Sequence, residues 1–223
     1  MNFVSHLALA QAVRRDAGFL LGAMLPDFAS MAGVRIRPDG LVDGGLAEVS
    51  AGVHHHLRVD DIFHGHPQFL ALMAVCVDQL TLAGVPRGPA RAAAHVGVEL
   101  LLDGELGHDP AMVAAYVRTV AWGAQAAAEW SFHAARPLAG LLSRLHRHGF
   151  PHEYASPEAV AARVVGMFAA RPRLALSPAN APYLVGVLRD AQVDVRACVA
   201  WLFRDLQHAL AIGDAGHNEP SRC

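Results

Sequence analysis

The chain has 223 residues, 53% of them hydrophobic and 17% charged. Against about 25% charged residues in an average soluble domain, that balance excludes a disordered, collagen-like or charge-stabilised fibrous protein and leaves enough apolar mass for a full core. The cationic side chains are 18 arginines with no lysine, set against 20 acids for a formal charge of -2, so no broad positive field exists and duplex nucleic acid is not an expected partner. Cys76, Cys198 and Cys223 stand far apart without a CxxC pair, which argues against a disulfide framework or a zinc–thiolate knuckle. The opening MNFVSHLALAQAVRR has no basic stretch ahead of its apolar run, and polar residues interrupt each apolar run before it reaches about 18 residues. No secretory signal or membrane span is expected, and a cytoplasmic location is the default.

Phe3, His6, Ala10 and Val13 recur at helical spacing and predict a first helix with His6 on its apolar side. A second helix covers Ala17 to Met31, with a break expected near Pro26. Gly33 to Gly45, rich in Gly, Pro and Asp, reads as a surface loop. Helical spacing returns from Glu48 to about Phe63, and Pro67 opens a helix reaching Gly84. Gly84 to Pro89 reads as a turn, followed by a long apolar helix over Ala90 to Leu106. Asp109-Pro110 starts the next helix, which reaches about His133, and Pro137 to His148 forms a shorter one. Ser156-Pro157-Glu158 combines a capping hydroxyl, a first-turn proline and a first-turn acid, opening a helix that ends near Arg171-Pro172. Asn180 can cap a last helix from Pro182 to Ile212. No alternating β-branched run, repeat or linker interrupts this pattern. The expectation is an all-α chain of seven or eight helices, one compact domain over 1–212 with a flexible tail over 213–223.

Fourteen histidines stand out against this background, because neutral imidazole is the commonest metal ligand. The segment Gly52 to Pro67 reads GVHHHLRVDDIFHGHP, and His56, Asp60 and His64 follow one another at i,i+4, on one helix face. Two imidazoles and a carboxylate so placed match a borderline or hard divalent ion such as Zn, Mn or Fe. The bland alternative is a histidine-rich helix surface. His95 and Glu99 form a second i,i+4 pair in an almost wholly apolar setting, where a carboxylate needs a cation or a hydrogen-bonded partner; a structural His–Glu pair would satisfy it equally. Gly97 between them implies a close approach by another helix or a ligand. His6 and Asp27 complete a set of seven candidate ligands from four segments, enough for two adjacent ions or one ion plus a catalytic residue. Arg58 is a candidate phosphate contact, although its offset of two from His56 and Asp60 turns it off their face. Glu129 and His133 read as a helix-surface pair. The chain has no GxSxG elbow, phosphate-binding GxxxxGK[ST] loop, GxGxxG after a strand, or HExxH.

Asn2-Phe3-Val4-Ser5-His6-Leu7, Leu21-Gly22-Ala23-Met24-Leu25-Pro26-Asp27-Phe28 and the run Gly52, His56, Leu57, Val59, Asp60, Phe63, His64, Pro67 occur in that order. With the later His95, Glu99, Leu100, Leu101 and Leu102, they resemble the acyl carrier protein phosphodiesterase family. That all-helical group is related to the HD-type metal-dependent phosphohydrolases. The likeness covers about the first 105 residues. His6, Asp27, His56 and Asp60 keep the family's residue types, whereas Leu57 stands for its Arg, Phe63-His64 for Thr-Asp, His95 for Asp, and Glu99-Leu100 for Asp-His. A shorter likeness links the Gly-to-Pro-Asp stretch to zinc-dependent phospholipase C-like helical proteins. Both imply metal-assisted phosphoester hydrolysis, and the first implies a carrier protein bearing a phosphopantetheine arm as substrate.

On this reading His6, Asp27, His56, Asp60, His64, His95 and Glu99 hold one or two divalent ions, Mn, Fe or Zn. Asp27 is either a ligand or the base that orients water, His54 or His55 protonates the leaving oxygen, and Arg58 contacts the phosphate. The alternative is a non-catalytic helical metal-binding protein with a filled coordination shell. The sequence leaves the oligomeric state open.

Overall fold

The structure, a computed structural model, describes residues 1–43 and 46–215. Among the described residues the regular elements are all helical: α1 (Phe3–Gln11), α2 (Ala17–Met31), α3 (Pro38–Asp43), α4 (Ala47–Gly65), α5 (Pro67–Leu82), α6 (Arg87–Leu106), α7 (Pro110–Ala126), α8 (Ala135–His148), α9 (Pro157–Phe168) and α10 (Ala181–Ala215). Single 3-10 turns lie at Ala127–Glu129 and His152–Ala155. The all-α expectation is met. No helix among these is long and apolar enough to cross a membrane.

Local chemistry explains most helix starts. Asp16 caps α2 by accepting from the Phe19 amide at 2.9 Å, and Ser156 caps α9 by accepting from Ala159 at 3.3 Å. Five expectations need correction. The described residues hold ten α-helices where seven or eight were expected. The α2 helix runs through Pro26 without a break. The proline removes one bond, to the Gly22 carbonyl, and the continuous buried stretch Gly18–Leu25 with Phe28 and Ala29 outweighs that loss through packing. The expected loop after Gly33 contains α3, where Pro38 and Asp39 occupy the first turn that suits them and Leu41 is buried. The helix from Pro110 stops at Ala126, short of His133, and Trp130 is extended. The last helix reaches Ala215; Gly44 and Gly45 of the expected loop, and 216–223 of the expected tail, lie outside the described residues.

The chain packs as two compact units that alternate along the sequence. The first comprises Met1–His64, Ala111–Phe150 and the chain from Trp201; the second comprises Gly65–Pro110 and Pro151–Ala200. The boundaries fall at helix junctions or, after Ala200, within α10, so no linker composition marks them. In the first unit α1 and α8 each pack against α2. Phe3 joins Phe28 and Tyr116 at ring distances of 5.3 and 5.8 Å, and Tyr116 meets Phe150 edge-on at 5.4 Å. In the second unit α6 packs against α5, α9 and the turn at His152–Ala155. Gly104 makes the last contact possible, because a Cβ there would stand 2.1 Å from the Tyr154 carbonyl oxygen.

Candidate metal centre

The centre lies in the first unit and begins with a helix crossing. A Cβ on Gly22 of α2 would sit 2.1 Å from the Val49 carbonyl oxygen, and one on Gly52 of α4 would sit 2.1 Å from that of Phe19. Only two glycines let these backbones meet so closely. One turn beyond Gly52, the His56 ring comes over α2, and its Nδ1 lies 2.8 Å from the Ala23 carbonyl oxygen. A carbonyl only accepts, so this nitrogen carries the proton and Nε2 is turned the other way. One turn further along each helix stand Asp27 and Asp60. His6 comes from α1, which packs on α2.

The imidazoles of His6 and His56 stack at 3.7 Å with 22° between their planes. Asp60 spans the pair: its Oδ1 lies 3.2 Å from His6 Nε2 and its Oδ2 lies 3.4 Å from His56 Nε2. One ligand atom each from His6, Asp27 and His56 falls within 4.8 Å of the others. His6 is fully buried, and among the described residues neither of its ring nitrogens has an aligned hydrogen-bond partner; the approach to Asp60 is close but poorly directed. The Met1 α-ammonium donates to Asp60 Oδ1 at 2.8 Å and lies 3.5 Å from His64 Nε2.

Electrostatics divide the two rings. Burial drops the His6 pKa to about 3 against the pull of Asp60, so His6 is neutral at pH 7 with a lone pair to offer. Burial also disfavours a charged His56, but the Asp60 hydrogen bond, the charges of Asp27 and Asp60, and the Ala23 carbonyl outweigh it and raise its pKa. Burial would raise the Asp60 pKa, yet the close His56 and His6 rings, with the Met1 ammonium, hold it well below the carboxylate range. This site favours positive charge between its carboxylates and imidazoles. His6, Asp27 and His56, from three helices, bring ligand atoms together that could hold Zn, Mn or Fe, with Asp60 beside both imidazoles. The His56–Ala23 bond is the outer contact that orients a ligating imidazole.

The remaining candidates fall elsewhere, except His64, whose Nε2 lies beside the Met1 ammonium at Asp60. His54 is exposed and His55 packs its ring 5.3 Å from Phe19; at 100° per residue their positions on α4 diverge from that of His56. The Arg58 guanidinium donates to the Leu210 carbonyl of α10. His64 has its own ring 5.5 Å from Phe63. His95 and Glu99 belong to the second unit, where they pair at 2.9 Å and Phe69 meets the His95 ring edge-on at 5.4 Å. Gly97 does face another helix, and a Cβ there would meet Leu188 of α10 at 2.6 Å. Reasoning from side chains alone passed over Gly22 and Gly52 as positioning residues; two glycines inside apolar helices, each about one turn before a candidate ligand, were the available signal. Searches for similarity to protein families, to curated proteins and to solved structures give no match for this chain.

Proposed function

We propose that the first unit binds a divalent metal ion through His6, His56, Asp60 and Asp27 and that the protein is a metal-dependent phosphoester hydrolase. The observation that carries this reading is His6, a fully buried imidazole that is neutral, lacks an aligned hydrogen bond among the described residues, and faces a carboxylate. Such an arrangement costs free energy in the absence of a cation. A divalent ion there would supply Lewis acidity towards a phosphoryl oxygen and would activate water. The chain's own residues then divide the work. Asp60 holds both imidazoles, Ala23 fixes the His56 tautomer, and Asp27 completes the set of ligands around the ion. Asp60, with a side chain 28% exposed, marks the side from which a substrate enters.

The resemblance to the acyl carrier protein phosphodiesterases supports a phosphodiester substrate, either a phosphopantetheine-bearing carrier protein or a small phosphodiester, and an HD-like helical architecture. A non-catalytic metal-binding protein is the second reading, favoured by the depth of His6 and His56. Elemental analysis of the full chain, with hydrolysis of bis(p-nitrophenyl) phosphate before and after chelation, tests both. The expected result is bound Mn, Fe or Zn, chelator-sensitive hydrolysis, and roughly tenfold or greater loss of metal affinity in Asp60→Asn. Metal without hydrolysis turns the assignment to the second reading. No metal uptake from added Mn, Fe or Zn overturns both.

A further inference from the structure

At the end of α2 opposite Asp27, α1, α2 and α7 of the first unit enclose a cleft of about 550 Å³, within the range of about 300–1,000 Å³ typical of small-molecule sites. Its polar lining consists of Arg15, Arg118, Gln11 and Thr119; Leu20 and Ala115 are among its apolar walls. Among the described residues, none of the four polar side chains has a hydrogen-bond or ion-pair partner, and Thr119 is 3% exposed. Among the described residues no acid lines the cleft. The sequence explains the imbalance: α1 carries no carboxylate, and α7 has one arginine and no acid. Asp16 caps α2 and accepts from Arg14 at 2.9 Å, and Glu48 also pairs with Arg14.

Two guanidiniums without counter-charge, a hydroxyl and an amide form a donor-rich wall that matches an anion with several acceptor oxygens. The volume and the apolar wall exceed what a bare ion fills. We infer that this cleft binds a phosphorylated small organic molecule, its phosphoryl group on Arg15 and Arg118 and its organic body against Leu20 and Ala115. Leu20 and Asp27 are seven residues apart on one helix, about 10 Å along its axis, so the cleft is separate from the candidate metal centre and does not rest on it.

Calorimetric titration of the full chain in EDTA tests the inference with three probes: inorganic phosphate, phenyl phosphate and phenol. Phenyl phosphate is expected to bind several-fold more tightly than phosphate, with phenol bound far more weakly than either. Arg15→Gln with Arg118→Gln should weaken phenyl phosphate binding about tenfold or more, and Thr119→Val several-fold. Arg91→Gln with Arg204→Gln, exposed on α6 and α10, should change nothing. All four arginines are exposed, and circular dichroism verifies that each variant is folded. Failure of phenyl phosphate to saturate below about 10 mM, equal binding of phenol, or equal loss in the two arginine pairs overturns the inference. Because metal is absent throughout, the result is independent of the hydrolase proposal.

Discussion

Glu158 accepts from the Ser156 hydroxyl at 2.7 Å and from Arg189 at 2.7 Å. The Ser156 hydrogen bond first, then its own amide and Arg189, lower its pKa from 4.5 to about 2. The folded form therefore binds this proton less tightly than the unfolded form, and the linked stability is present above pH 4.5 and disappears as pH falls towards 2. Full exposure and salt screening keep the effect small. Urea unfolding of wild type and Glu158→Gln should show a gap near neutrality that closes by about pH 2. This cap was legible in Ser156-Pro157-Glu158 because its chemistry spans three residues. The i,i+4 pairs His56–Asp60 and His95–Glu99 were legible for the same reason. The approach of His6 to Asp60 was not, since it joins residues 54 positions apart.

At the scale of helices, the same substitution has opposite expected signs at two places. Gly52→Ala or Gly22→Ala forces a methyl into a carbonyl oxygen of the facing helix and should cost about 3 kcal/mol, with weaker metal uptake because α4 is displaced from Ala23. Gly186→Ala, on an exposed face of α10 with nothing within 4 Å, should stabilise the fold by about 0.5–1 kcal/mol. Thermal and denaturant unfolding of the three variants checks both signs. Periodicity located these helices but could not distinguish the glycines, because their difference is set by neighbours distant in sequence. Pro26 carries the same lesson: its local preference for a break yields to the buried packing along α2.

For the whole chain, alternation between the two units means that no single cut leaves the first unit complete. A truncation after Phe150 removes the segment from Trp201 that belongs to the first unit, and with it the Leu210 carbonyl that receives Arg58. Such a fragment should lose more far-ultraviolet helical signal than the deleted residues account for. Composition gave the helical class correctly, since apolar spacing and abundant alanine are averaged over many residues. The division into units left no trace in the sequence, because its boundaries carry no linker.

The face-to-face imidazoles of His6 and His56 also give the molecule an internal gauge. Each ring lies in the shielding cone of the other, so their carbon-bound protons should resonate apart from those of most of the chain's other histidines. Cobalt substitution would then displace and broaden those two signals before the rest, reporting occupancy by magnetic resonance without any assay of turnover.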